Sequence, residues 1–390
     1  MKSLFRFILV VLFFGIIHFP AHADFSSLYI FGDGLSTTTN NPSSQSQSYY
    51  GKRRSNGRVW VEVLAQRQGV GISNNWSYFD CNSSNLVTNV SNFAAPSNAA
   101  NALFVVWVNN SDLYDEALNV NSTAAEWITA INRAQTNHFR VITNLYFAKG
   151  ARTLILPNTV DVSRIPYFNA YANTNLIRQE CRVFNTNFAA TLNQARAACP
   201  ELKIYSPDFF TLLNNVLMNA PGYGLTNFTY NGLSIDAIND PALTNKSTNG
   251  PGANYIFWDP YDPSARLHAV MADVAQQLIS PVQISQLNVL TGSNRLDLVN
   301  VPVGLNGFVD GMTVTNQGPP NWTVVRNFNS TNTTQSMFVI APQFPPFLID
   351  TNSGGGSIDP GNPGNGSTPL VQPMQEQLYR LRFPYAWNWP

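Results

Sequence analysis

The feature that most constrains the fold is an alternation of short apolar runs with amphipathic segments of helical period. Four of the runs have the length of buried strands, at residues 28–31, 103–107, 153–157 and 202–205. One segment between them begins with the capping-box pattern Thr123-Ala-Ala-Glu126. Short apolar strands separated by helices are typical of a parallel sheet covered by helices on both faces. We therefore predict a three-layer α/β/α fold, with functional residues beyond the C-terminal ends of its strands.

The N-terminal residues predict export. Lys2 and Arg6 precede an apolar run at 7–17, and Ala21-His22-Ala23 offers a cleavage site between small residues. The run is too short to span a bilayer as a helix and has the composition of a cleavable signal peptide. We predict a signal peptide over 1–23, cleavage after Ala23, and a secreted or extracytoplasmic mature chain with no transmembrane segment.

The pattern of apolar residues changes after residue 281. Residues 282–352 lack a helical period and contain short apolar segments separated by Gly, Pro and Asn, which predicts a small β-sandwich-like module. Residues 353–368 have the composition of a flexible linker. The aromatic tail at 369–390 either packs on the module or contacts a partner. The main α/β domain is accordingly predicted over 24–281.

Charge and cysteine content narrow the range of partners and bound groups. Charged residues make up 11% of the chain, with 22 basic and 22 acidic, against roughly a quarter in ordinary soluble domains. Without a basic stripe, neither nucleic acid nor anionic lipid is an expected partner. Cys181 and Cys199 lie too far apart on one predicted helix, 175–198, to form a disulfide, so at most one of them can pair with Cys81. We expect no cofactor and no bound metal.

Five short motifs occur in a fixed order over the predicted α/β domain. They are Ile30-Phe31-Gly32-Asp33-Gly34-Leu35-Ser36, the Ser-Asn-Gly-Arg-Val-Trp-Val-Glu-Val-Leu-Ala segment at 55–65, Asn92-Phe93-Ala94, Phe104-Val-Val-Trp107 with Asp112, and Phe257-Trp258-Asp259-Pro260 with His268. In order and spacing they resemble the SGNH/GDSL lipase/esterase family over about residues 25–280. The resemblance implies an SGNH-hydrolase-like fold, but a fold alone does not imply an activity.

In that family, a serine of the opening motif attacks an ester carbonyl, and an Asp-x-x-His segment supplies the base and the carboxylate that orients it. The resemblance places Gly34 at the nucleophile position and Asp262 at the base position. Glycine has no side chain with which to attack, and Asp262 offers a carboxylate where the imidazole belongs. Both catalytic groups are therefore predicted to be missing.

The resemblance also predicts a degenerate oxyanion site, which the family builds from a glycine N–H and an asparagine side chain. Pro96 and Ser97 follow Asn92-Phe93-Ala94 where a glycine pair is expected, and proline lacks a backbone N–H. Ser111 stands at the asparagine position. The retained family positions are Asp33, Asp112, Asp259 and His268.

Two alternatives concern residues that could take over a function at this site. Ser36 is the hydroxyl nearest to the lost nucleophile, but two positions along a helix turn it by roughly 200° away, so we expect it to cap that helix. His138 and His268 lie on or beside apolar stripes and are expected to be structural. The carboxylates of Asp33, Asp112, Asp259 and Asp262 offer a hard-cation site for Ca²⁺ or Mg²⁺. In the alternative, Asp33 caps backbone amides, Asp112 is solvated, and Asp259 and Asp262 hold a turn.

The sequence thus predicts an exported, catalytically inactive member of a hydrolase fold, whose emptied cleft and β module serve binding or cell-surface structure. The ligand is unknown, with carbohydrate and lipid both open. The competing hypotheses are a low-activity ester hydrolase with an unrecognised nucleophile, and a structural surface scaffold that binds no ligand.

Overall fold

The computed structural model describes residues 25–38, 48–290, 293–313, 322–340 and 377–383. The predicted signal peptide and linker, and the greater part of the aromatic tail, lie outside these residues. The domain boundaries predicted above therefore stay predictions. The architecture within the described residues consists of a five-stranded parallel sheet followed by two three-stranded antiparallel sheets, with a two-stranded hairpin in between.

The parallel sheet has the strand order β2-β1-β3-β4-β5. Its strands are β1 (Leu28–Gly32), β2 (Ile72–Asn75), β3 (Leu103–Trp107), β4 (Thr153–Ile155) and β5 (Lys203–Tyr205). The central strands β1 and β3 are buried along their whole length, as expected for parallel strands with helices on both faces. The sequence predicted β1, β3, β4 and β5 but not β2, which is an edge strand of mostly polar residues with two exposed positions.

Seven α-helices in the described residues form the two outer layers. They are α1 (Trp60–Arg67), α2 (Ser83–Asn92), α3 (Asn109–Leu118), α4 (Ala124–Phe147), α5 (Thr174–Ala198), α6 (Phe209–Met218) and α7 (Ala265–Ile279). Helix α1 packs on α7, whereas α2, α3 and α5 pack on α4. The predicted capping box begins α4: the hydroxyl of Thr123 accepts the N–H of Glu126, and the Glu126 carboxylate accepts the N–H of Thr123. A two-stranded hairpin, β6 (Thr229–Tyr230) and β7 (Leu233–Ser234), lies between α6 and α7.

The C-terminal strands form two antiparallel sheets of three strands each, in the orders β12-β9-β8 and β11-β10-β13. They are β8 (Gln283–Leu290), β9 (Ser293–Val299), β10 (Asn306–Thr313), β11 (Thr323–Asn329), β12 (Thr334–Ile340) and β13 (Gln377–Arg382). The two sheets enclose their own apolar core, which includes Leu296, Val309 and Phe383. The described part of the aromatic tail is thus the strand β13, paired with β10.

Arginine side chains hold β13 in place and connect the main α/β domain to the C-terminal sheets. Asp310 of β10 is buried and accepts hydrogen bonds from Arg380 Nε (3.1 Å) and Arg382 Nε (3.0 Å). On the main domain, Arg67 Nε donates to Asp273 Oδ1 at 2.6 Å, and Arg67 Nη1 donates to the carbonyl of Val303 at 2.9 Å. One arginine of α1 therefore links α7 to the loop before β10.

Two further features bear on the sequence predictions. Cys81, Cys181 and Cys199 are all free and buried. Cys181 lies in the first half of α5, whereas Cys199 is the C-cap residue of the same helix, so the two lie far apart, as predicted. None of the helices in the described residues combines the length and the apolarity that a membrane span requires.

Candidate functional site

A small pocket lies where β1 and β3 end at the C-terminal edge of the sheet. Its lining brings together Gly34 after β1, Ser111 at the start of α3 and Asp262 before α7, three of the positions singled out from the sequence. Phe79, from the loop between β2 and α2, also lines it. The cavity measures about 20 Å³, which is room for about one water molecule.

Asp33 organises the turn that follows β1. Its Oδ1 accepts the N–H of Leu35 at 3.0 Å, which caps the short 3-10 helix Gly34–Ser36, and its Oδ2 accepts the hydroxyl of Ser111 at 3.4 Å. Burial, aided by the nearby charge of Asp112, raises the pKa of Asp33 to about 7. Asp33 is therefore the cap that was expected of Ser36.

Gly34 is packed against the ring of Phe79. A Cβ atom placed on Gly34 would lie 3.2 Å from Phe79 Cδ2 and 4.0 Å from Arg54 Cδ. The first distance is shorter than ordinary van der Waals contact, so any side chain at position 34 requires Phe79 to move. Phe79 is followed by Asp80, which has a φ of 60°, so the loop turns sharply at this point.

Arg54 is a buried cation inside the site. Its Nε lies 3.0 Å from Asp262 Oδ2, its Nη2 lies 3.5 Å from Asp259 Oδ2, and its guanidinium stacks over Phe79 at 4.1 Å from the ring centroid. Asp259 Oδ1 also accepts the N–H groups of Tyr261 (2.9 Å) and Asp262 (2.8 Å). Burial and the neighbouring Asp259 raise the pKa of Asp262 well above its usual range, and Arg54 opposes this rise.

Asp112 and His138 lie behind the pocket. Asp112 Oδ1 accepts the N–H of Ser83 at 2.9 Å, and Asp112 Oδ2 lies 3.5 Å from His138 Nε2. Asp112 is therefore buried rather than solvated. His138 packs edge-on against Phe184 and Phe188 in the core, as expected for a structural histidine.

Ser36 and His268 are both buried away from solvent. The Ser36 hydroxyl accepts the indole N–H of Trp60 at 3.1 Å, so its lone pair is engaged inside the core. His268 lies in the first turns of α7, where burial lowers its pKa to about 3. A histidine with so low a pKa stays neutral at neutral pH.

Pro96 and Ser97 do not reach the site, and their expected position was wrong. They lie between α2 and β3, in a loop whose next residue, Asn98, donates to Ser26 and Ser27 just before β1. This places them at the N-terminal edge of the sheet, opposite the pocket. The residues that the structure does bring beside Gly34 follow β2, and because β2 was not predicted, their role was missed.

Arg54 and Phe79 are the functional-site residues that sequence reasoning missed. Arg54 directly precedes the motif at 55–65. In a chain with so few charges, two consecutive arginines, Arg53 and Arg54, are the signal that could have drawn attention to it. Among the described residues, no group of three or more His, Cys, Asp or Glu side chains is arranged to hold a metal ion. The four aspartates of the hard-cation hypothesis instead bind backbone amides, Ser111, His138 and Arg54.

Several solved structures are similar to the chain. An acetyl xylan esterase aligns at 10% identity and a TM-score of 0.39, covering 64% of this chain and 96% of its own. A lipase from a goat rumen metagenome aligns at 13% identity and a TM-score of 0.40, with 65% and 97% covered. An extracellular lipase from Streptomyces rimosus aligns at 11% identity and a TM-score of 0.39, with 64% and 99% covered. No curated protein sequence matches the chain.

The sequence profile of one family matches most of the chain. It is the GDSL-like Lipase/Acylhydrolase family, and the match runs over residues 28–275. That range begins with β1 and ends within α7, so it contains the whole parallel sheet and every residue of the pocket. The chain therefore belongs to the GDSL-like lipase/acylhydrolase family.

Proposed function

We propose that this chain is an exported, non-catalytic member of its family that serves in binding or at a surface. The observation that carries the proposal is the content of the pocket. The nucleophile position is a glycine packed against Phe79, and the base position is a carboxylate paired with Arg54. Membership of the family favours ester hydrolysis as the alternative, and that alternative is the one to be tested.

The first support is the lack of a usable nucleophile. Gly34 has no side chain, the Ser36 hydroxyl is buried against Trp60, and the Ser111 hydroxyl donates to Asp33. Loss of the nucleophile alone costs on the order of 10⁶ in rate in a comparable serine hydrolase. An esterase whose rate is reduced by that factor would not be a useful catalyst.

The second support is the lack of an available base. The carboxylate of Asp262 is held by Arg54, and neither described histidine of the domain lines the pocket. His268 is buried with a lowered pKa, and His138 is enclosed by phenylalanines. A hydroxyl introduced at position 34 would therefore have no imidazole to take its proton.

The third support is the space available. A cavity of about 20 Å³ accepts about one water molecule and has no room for an acyl group and an alcohol. Phe79 Cδ2 and Arg54 Cδ lie 3.2 Å and 4.0 Å from the point that a Cβ atom on Gly34 would occupy. The emptied cleft expected from the sequence is thus reduced to a small pocket, which favours another surface of the molecule for a binding role.

The deciding experiment is hydrolysis of p-nitrophenyl acetate and butyrate by the purified chain, compared with a heat-inactivated sample. We expect no turnover above that control, and no labelling by a fluorophosphonate probe. Labelling that is lost in Ser36→Ala or Ser111→Ala would identify a migrated nucleophile and establish the hydrolase alternative. N-terminal sequencing of secreted protein tests export separately, with Asp24 as the expected first residue.

A further inference from the structure

A second, larger cavity lies beside the β6–β7 hairpin. Its volume is about 350 Å³, within the range of about 300–1,000 Å³ that is typical of small-molecule sites. Its walls come from the loop after β4, the first turn of α5 and the hairpin, and Arg164, Asn175 and Thr229 represent these three elements. None of the residues that line it also lines the pocket around Gly34.

The lining of this cavity is chemically distinctive. It contains two guanidinium groups, Arg164 and Arg178, together with amide and hydroxyl side chains, and no carboxylate. Its only larger apolar side chains are Leu217 and Leu233. Because most small-molecule pockets are predominantly apolar, a wall of this kind excludes an acyl chain and fits a hydrophilic ligand.

Part of the lining is held rigidly by its own hydrogen bonds. Arg178 Nη1 lies 3.1 Å from Asp161 Oδ2, and Arg178 Nη2 donates to Asn214 Oδ1 at 3.1 Å. Across the cavity, Asn227 Oδ1 accepts the hydroxyl of Ser234 at 2.9 Å. A wall whose side chains are already ordered has less entropy to lose when a ligand binds.

Another part of the lining is unused. The side chains of Arg164, Thr174, Asn175 and Thr229 make no hydrogen bond or ion pair with the residues that the structure describes. The buried carboxylate of Asp161 balances the charge of Arg178, whereas nothing comparable balances Arg164. Arg164, Asn175 and Thr229 are exposed to solvent, so the cavity presents to solvent one positive charge with no carboxylate partner among the described residues, together with neutral donors and acceptors.

We infer that this cavity binds an acidic monosaccharide, a sugar ring that carries a carboxylate. The planar guanidinium of Arg164 matches a carboxylate with two parallel hydrogen bonds. Hydroxyl groups both donate and accept, as the amide of Asn175 and the hydroxyls of Thr174 and Thr229 do. This binding site is independent of the chemistry at Gly34, so it stands whether or not the chain hydrolyses esters.

The test is titration of the purified chain with D-galacturonate, followed by isothermal calorimetry and saturation-transfer difference NMR. D-galactose supplies the hydroxyls without the charge, and acetate supplies the charge without the hydroxyls. We expect saturable binding of galacturonate, and at least tenfold weaker binding of the other two. Arg164→Gln should weaken galacturonate binding by about tenfold or more, since a hydrogen bond to a charged group is lost.

Matched variants separate the site from general electrostatics. Arg182→Gln makes the same charge change at an exposed residue of α5 outside the cavity, and it should leave the affinity unchanged. Asn175→Trp should obstruct the cavity and weaken binding while the melting temperature is kept. The inference is overturned if galacturonate shows no saturable binding, if galactose or acetate binds equally well, or if Arg182→Gln weakens binding as much as Arg164→Gln does.

Discussion

Arg54 Nε lies 3.0 Å from the carboxylate of Asp262, although strands β2 to β5 lie between the two residues in the sequence. The pair occupies the position at which the resemblance to GDSL hydrolases expects a catalytic histidine. A base must be free to take and release a proton, whereas this carboxylate is bound to a permanent cation. The contact gives the carboxylate of Asp262 a buried cationic partner, and the consequences of that pairing can be measured.

Repair of the site should require more than the missing serine. Gly34→Ser should be inactive because the new side chain meets Phe79 and finds no imidazole. The variant Gly34→Ser/Asp262→His/Phe79→Gly supplies the attacking pair and the space, and we expect weak turnover of p-nitrophenyl acetate. Adding Ser111→Asn should raise the rate by about 10²–10³ through an added oxyanion donor. Activity in Gly34→Ser alone would show that another base already serves the site.

Removal of the buried cation should destabilise the fold. Arg54→Met leaves Asp259 and Asp262 buried without a counter-charge, and the expected loss at pH 7 is about 3–5 kcal/mol in the free energy of unfolding. Arg295→Met is the matched control, because it breaks an exposed ion pair with Asp297 that is worth about 0–1 kcal/mol. Urea denaturation of both variants makes the comparison, and equal losses would contradict the assigned role of Arg54.

The same variant should show a definite dependence on pH. Burial and the mutual repulsion of Asp259 and Asp262 already raise the pKa of Asp262, and removal of Arg54 removes the opposing effect. A folded state with a raised carboxyl pKa holds its proton more tightly than the unfolded state does, so its stability is lost as pH rises. The penalty of Arg54→Met should therefore be smaller at pH 5 than at pH 8. A penalty that grows on acidification would count against the interpretation.

Asp33 predicts a second pH effect of the same sign. Its folded-state pKa of about 7 exceeds the ordinary value, so the stabilisation is complete below about pH 4 and is lost as pH rises to about 7. A rise in the pKa of Asp33 from 3.8 to about 7 corresponds to about 4 kcal/mol in the free energy of unfolding. Asp33→Asn keeps an acceptor for the N–H of Leu35. In urea denaturation between pH 4 and 7, it should remove the fall in the free energy of unfolding with rising pH that Asp33 causes. Asp115→Asn, at an exposed carboxyl, should leave the slope in place.

The cysteines should be unreactive in the folded chain. All three are buried and free, and burial raises the pKa of Cys81 and of Cys181 to about 12. Because the thiolate is the reactive form, native protein should not react with Ellman's reagent at pH 8 within minutes. Three thiols should titrate after guanidinium denaturation. Fewer than three would reveal a disulfide.

The sequence predicted the central strands β1 and β3 well because both are buried along their whole length and contain no charged residue. Runs such as Leu103–Trp107 have no polar position, so their burial on both faces can be read directly. The edge strand Ile72–Asn75 has one buried residue and three polar ones, and it carries no such signal. Its absence from the prediction shifted the expected oxyanion block to Pro96 and Ser97, one loop too late and at the wrong edge of the sheet.

The content of the pocket was predictable only in part. Gly34 and Asp262 could be placed by the resemblance, because each belongs to a motif with fixed neighbours. Arg54 could not, because its burial depends on carboxylates more than two hundred positions further along the chain. Phe79 comes beside Gly34 only once β1 and β2 are paired, so the small size of the pocket is a tertiary property that no local pattern contains.

The strand order of the C-terminal sheets also has a consequence for how the chain is made. Strand β13 pairs with β10, yet β10 ends at Thr313 and β13 begins at Gln377. During synthesis on the ribosome, β10 and β11 are therefore made before β13. Until β13 is added, one edge of β10 is unpaired and Asp310 lacks Arg380 and Arg382 as partners. Open strand edges pair readily with other chains. A nascent chain, or one that a protease has clipped before Gln377, thus has an open strand edge on β10, which β13 covers in the folded chain.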